Sequence, residues 1–278
     1  MTDAQHGSSS APETRSDGRA RTPHRPPMDV ARLITIPLSH YCEKARWVLD
    51  ATGVRYREEP HAPLVRLRAT RAVGGRTVPV LVHDDVVLLD SSEIARHADH
   101  LAPPEQRLIP ARPAERARVL ALEDDFDETL GVDARLIAYW HQLRDPERAR
   151  ALVGAMMHLR SRLAQRVVAS LFRRLIFRKY RIDEQAARHA EARVRSLFER
   201  LADAVDEEPY LVGGRFTLAD LTLAALSAPL LAPPEHPVMG RLRSAAPPAA
   251  LAALRAELSA TPVGRRVLQV YAQHRRPA

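Results

Sequence analysis

Three short stretches of this chain carry side chains whose types and spacing could do chemistry. The first is Ser39-His40-Tyr41-Cys42, set between a β-branched run and a helical pattern. At a helix start the unpaired N–H groups and the positive end of the dipole stabilise a nearby thiolate, whether it belongs to the protein or to a ligand. The plainer alternative is an N-cap serine followed by a small buried cysteine. The second stretch is Arg76-Thr77-Val78-Pro79. Proline has no N–H to give to a ladder, so Pro79 belongs at a sheet edge or at a cis bend. There the N–H and C=O of Val78 are left for a peptide backbone laid alongside. The third stretch is Asp90-Ser91, starting eleven residues after Pro79. A serine hydroxyl at a helix N-terminus suits a carboxylate and the Asp90 carboxylate suits an ammonium, so the two together select a zwitterionic, peptide-like ligand. A β-hairpin running into a capped helix explains either half without a ligand.

The elements that must position these groups follow from periodicity. Residues 31–37 read as a strand, and residues 41–52 read as a helix with Ala45, Val48 and Leu49 on one face, stopped by Gly53. A second strand is expected over 54–59 and an irregular or weakly helical connection over 61–72. Residues 77–82 and 86–89 suit a hairpin around His83-Asp84-Asp85, followed by a helix over 92–101 capped by Ser91 or Ser92 and ended by Pro103-Pro104. Past a linker at 102–113 the pattern is helical throughout, over 114–143, 147–179, 183–206, 217–230 and 248–273, the last broken at Pro262. Thr217 and Asp220 have the spacing of a capping box, and Phe216 with Leu221 that of a hydrophobic staple.

Composition narrows the function classes. The 278 residues suffice for two modest domains, and 45% hydrophobic content gives each a core. The formal charge is +8, yet Lys44 and Lys179 are the only lysines among 42 basic residues and there is no Asn. That bias resembles the residue usage of a GC-rich genome, so the basicity is a weak argument for nucleic acid, which is not an expected partner. The single cysteine, Cys42, excludes an intramolecular disulfide and a multi-cysteine zinc site and fits a reducing compartment. No spacing around His97, Asp99 and His100, or at Trp140-His141, matches a zinc motif, so no metal is expected. Residues 1–28 are poor in large apolar side chains and read as a disordered tail without a secretory core. No stretch has the ~18 apolar residues of a membrane span, and the expected location is cytoplasmic.

Two charged runs stand apart. Residues 156–181 hold eight basic side chains and no acidic one, which suits either an anionic membrane or phosphate surface or a domain helix with its arginines outward. The acidic run 123–128 is expected to pair with arginines of its own domain or of a second subunit.

The order and spacing of the parts resemble the glutathione S-transferases, with SHYCEKAR, TVPVL and LLDSSEIARH as their three successive N-terminal elements and YLVGGRFTLAD as their buried helix start. The resemblance implies an α/β thioredoxin-like N-terminal domain over 29–102 that binds glutathione, followed by an all-α C-terminal domain over 114–275. In it, Ser39 would hydrogen-bond to the glutathione thiolate, Val78 and Pro79 with the adjoining Arg76 and Thr77 would dock the cysteinyl backbone, and Asp90 with Ser91 would take the γ-glutamyl end. Glutathione would be the co-substrate, a hydrophobic electrophile would sit between the domains near Tyr139 and Trp140, and the protein would be a homodimer engaged in detoxification. Ser39-x-x-Cys42 stands where a glutaredoxin has two cysteines, which favours a conjugating or isomerising enzyme over a reductase. Cys42 remains a second catalytic candidate, through a mixed disulfide if exposed. A non-catalytic binding or regulatory module, a Cys42-based redox protein and a different low-molecular-weight thiol stay open as alternatives.

Overall fold

The computed structural model describes residues 1, 30–63, 65–239 and 246–275; the expected tail, past Met1, lies outside them. The N-terminal half is a four-stranded mixed sheet in the order β2-β1-β3-β4 with helices packed on it. Strand β1 (Ala31–Thr35) runs parallel to β2 (Tyr56–Pro60) and antiparallel to β3 (Val80–His83), which pairs antiparallel with β4 (Val86–Leu88). Helix α1 (His40–Ala51) joins β1 to β2, a short α2 (Arg66–Arg71) follows, and α3 (Ser91–Leu101) closes the half.

The expected strand from Thr77 starts only at Val80, because pairing with β1 ends at Ile34 opposite Val80 and the Val78–Pro79 bond is cis. The cap of α3 is Asp90, not a serine: its Oδ1 accepts from the Ser92 N–H at 2.8 Å, and both serines lie in the first turn.

The second half is helical. The expected 114–143 helix is α4 (Pro113–Asp125), a π turn at Phe126–Leu130 and α5 (Gly131–Leu143) in unbroken succession. The expected 147–179 helix is two, α6 (Pro146–Met156) and α7 (Arg162–Tyr180). His158 takes φ +52° between them and Ser161 accepts from the Ala164 N–H to cap α7, a local break that the apolar periodicity passes over. Gly154 lets the two helices meet, since a Cβ there would stand 3.0 Å from the Gln165 side chain. Helices α8 (Glu184–Glu207), α9 (Leu218–Leu231), α10 (Ala249–Ala260) and α11 (Pro262–His274) complete the bundle, with the break at Pro262 where the sequence places it.

Every residue of α9 is buried, as a helix apolar all round must be. Its start is tied by the Asp220 carboxylate, which accepts from the Thr217 N–H, the Thr217 hydroxyl and the Leu211 N–H. Helix α1 fills the space between the sheet and this bundle: Val48 and Leu49 are fully buried, and the Trp47 ring lies 4.5 Å from that of Tyr271. One large apolar core spans both halves, and a separate small one of Leu143, Ala149, Val153, Ala169, Phe172, Ile176 and Ile182 holds the α6–α7 hairpin.

Candidate functional site

An open cleft of about 1600 Å³ lies between the two halves. Seven of the eight site residues expected from sequence line it: Ser39, Arg76, Thr77, Val78, Pro79, Asp90 and Ser91. Cys42 does not.

Ser39 is held by the turn before α1. Its N–H donates to the Ile36 carbonyl at 3.0 Å, and the Arg46 guanidinium grips the Pro37 and Ile36 carbonyls while pairing with Glu43 and Glu58. As the N-cap of α1, Ser39 accepts from the Cys42 N–H at 3.4 Å. That contact uses a lone pair and leaves the hydroxyl proton for a group in the cleft. Cys42 points inward with no exposure, its Sγ 3.5 Å from the Ile36 N–H, and burial pushes its thiol pKa up despite Arg46 nearby. A thiolate is disfavoured there, contrary to what an exposed redox cysteine requires.

The neighbours of Ser39 are committed to holding the halves together. The His40 ring bonds the Gly131 carbonyl at 2.8 Å; burial, then the Arg135 charge, pushes its pKa down to about 3, so a neutral ring donates this bond. The Tyr41 hydroxyl donates to the Asp127 carbonyl at 2.9 Å, and burial raises its pKa. Gly131 is required here because a Cβ would run into the Tyr41 phenol.

The edge at Val78 is equally local in origin. Among the described residues the Val78 N–H and C=O have no hydrogen-bond partner. Arg66 of α2 donates to the Arg76 carbonyl at 2.8 Å and fixes the approach to Thr77. Asp90 is exposed at the start of α3, while Ser91 is buried with its hydroxyl 3.5 Å from the Asp127 carboxylate.

Asp127, Arg135, Tyr139 and Tyr180 line the cleft from the helical half, and sequence reasoning had singled out only Tyr139 for this role. The Arg135 guanidinium stacks 4.5 Å over the Tyr180 ring and 5.6 Å from the Tyr41 ring. Tyr139 is pushed up to about 12 by burial and stays a hydroxyl donor. Trp140 packs on Phe177 and is not part of the wall. Behind the cleft Glu123, Asp124 and Asp127 of the acidic run pair with the N-terminal half of the same chain and not with arginines of their own domain. The fully buried Lys44 ammonium donates to Glu123, to Asp127 at 2.6 Å and to Ser92 at 3.0 Å, and Arg96 pairs with Glu123 and Asp124. Among the described residues no group of three or more His, Cys, Asp or Glu is placed to hold a metal ion, and no helix is long and apolar enough to cross a membrane.

The family model for the glutathione S-transferase N-terminal domain matches residues 33–106, and that for the C-terminal domain matches residues 164–247. The chain belongs to the glutathione S-transferase family. Solved structures of the family share its fold. A glutathione S-transferase I bound with lactoylglutathione superposes with a TM-score of 0.52 at 16% identity, over 87% of this chain and 100% of that one. Glutathione transferase F2 from Populus trichocarpa gives 0.52 at 15% identity over 87% and 99%, and an apo glutathione S-transferase III gives 0.51 at 18% over 90% and 99%. A search of curated proteins finds no significant match. As in other glutathione S-transferases, a small mixed-sheet domain precedes a helical one.

Proposed function

We propose that this protein is a glutathione-dependent transferase that activates the glutathione thiol for attack on a hydrophobic electrophile. The observation that carries the reading is the convergence on one cleft of a serine hydroxyl with its proton unspoken for, an unpaired backbone at Val78, and the Asp90-Ser91 pair. These match, in order, a thiol, a peptide backbone and an amino-acid end. The Ser39 O–H donates to the sulfur, and the first turn of α1 adds its dipole; both favour the thiolate over the thiol. The sulfur pair then forms the bond to electrophilic carbon, the thiol proton having gone to solvent and the leaving group departing with its own electron pair. Val78 with Pro79, flanked by Arg76 and Thr77, holds the cysteinyl backbone. Ser91 receives the γ-glutamyl carboxylate at the α3 N-terminus, and Asp90 its ammonium. Cys42, buried with a raised pKa, takes no step. The reading includes residues 29–102 as the glutathione-binding unit, a homodimer and a cytoplasmic location.

Isothermal titration with reduced glutathione tests it. Saturable binding weakened by Asp90→Ala and by Ser91→Ala is expected; no binding at millimolar ligand, on the order of 4 kcal/mol of affinity, removes it.

A further inference from the structure

The basic run 156–181 has more structure than a domain helix needs. Helix α7 meets its packing duty with Ala169, Phe172 and Ile176, all buried in the hairpin core. Yet its outer side carries a second apolar stripe at strict i,i+4 spacing: Leu163, Val167, Leu171 and Leu175, exposed by 71%, 51%, 61% and 53%. Four large side chains in a row cost solvation unless something covers them. Exposed Arg166, Arg174 and Arg178 flank or fall within this stripe, with exposed Arg162 at the start of the helix and Lys179 at its end. No acidic residue occurs from 156 to 181. Glu147 of α6 faces Arg166 but is held by Arg150 at 2.7 Å, and Asp183 and Glu184 follow only after the left-handed turn at Arg181.

We propose that the outer face of α7 docks flat on an anionic lipid surface. The charge of this face selects the occupant: a second copy of the same face would set arginine against arginine, whereas lipid phosphates meet the arginines and the acyl boundary takes the leucines. The 19-residue helix provides about 28 Å of contact length. Leu175 and Lys179 also line the cleft, so docking sets the cleft mouth beside the bilayer, where an apolar ligand concentrates. The docking stands independently of glutathione chemistry.

Vesicle flotation of the full chain tests it, with phosphatidylcholine alone against phosphatidylcholine with phosphatidylglycerol. Binding at least about tenfold greater to the anionic vesicles is expected, weakening with salt over the Debye range. Arg166→Ala with Arg174→Ala should reduce it by about fivefold per charge. Val167→Asp with Leu171→Asp should abolish it while leaving the melting curve intact, since neither side chain is in a core. Absence of flotation with either vesicle overturns the proposal. So does flotation unchanged in the Val167→Asp/Leu171→Asp variant, or light scattering showing that this variant dissociates an oligomer, which would give the face to a second copy.

Discussion

The two sides of the cleft are held in opposite ways. Under Ser39, α1 is fastened to the helical half by buried charge: Lys44 with Glu123 and Asp127 on one flank, and on the other Arg275, which bonds Glu43 at 2.7 Å and Asp50 at 2.6 Å. Across the cleft the α6–α7 hairpin rests on a small apolar core, with Leu163, Val167, Leu171 and Leu175 left exposed. Buried ion pairs fix geometry because any displacement strands a charge. A thin apolar layer permits sliding and local opening at little cost. The wall that carries Ser39 is therefore the firmly fastened one, and under the proposed function the more adaptable hairpin wall is the one that would meet the second substrate.

The largest effect that would break this contrast is on the charged side. Lys44→Ala takes the fully buried cation from Glu123 and Asp127 and leaves buried Glu123 only the half-exposed Arg96 at 3.4 Å, and it should cost about 3 kcal/mol in urea unfolding, against an expected cost on the order of 1 kcal/mol for Ile176→Val in the hairpin core. Equal losses would erase the distinction. Next is a pH effect at His40. Its folded pKa, about 3, lies below the usual 6.5, so the unfolded chain binds the proton more readily. The stability it contributes is complete above pH 6.5 and is lost as pH falls from there toward 3. His40→Gln should flatten that part of the stability curve, by about 1.4 kcal/mol per pH unit; an unchanged slope would show that another group sets it. The smallest effect sharpens the hairpin side. Asp145→Ala removes an exposed N-cap that accepts from the Glu147 and Arg148 N–H groups and should lower the unfolding midpoint only slightly. Hydrogen exchange should rise in α6 and α7 with no change in α1.

What could be read from the sequence was local. The strand before Ser39, α1 itself, the proline bend and the Thr217–Asp220 cap are each specified within a dozen residues, where periodicity and turn chemistry operate. The cap of α3 was misplaced by one or two residues because Asp90, Ser91 and Ser92 are all good caps and only the backbone decides. The division of α6 from α7 was missed because apolar spacing continues across Met157–Arg160 with no proline or glycine between them. Arg135 and Asp127 reach the cleft from 96 and 88 residues beyond Ser39. Nothing near them in the chain marks them as cleft residues. Lys44 gave no sign of its acidic partners for the same reason: ion pairs across a domain boundary leave no periodic trace.

In the proposed function Ser39 lowers the pKa of a bound thiol. Ultraviolet titration of glutathione thiolate in the complex measures that directly. The prediction is a bound thiol that ionises well below the roughly 8.5 of a free cysteine, and a return toward that value in Ser39→Ala while glutathione still binds. A bound thiol that titrates like free glutathione, or a depressed value that survives Ser39→Ala unchanged, would contradict it.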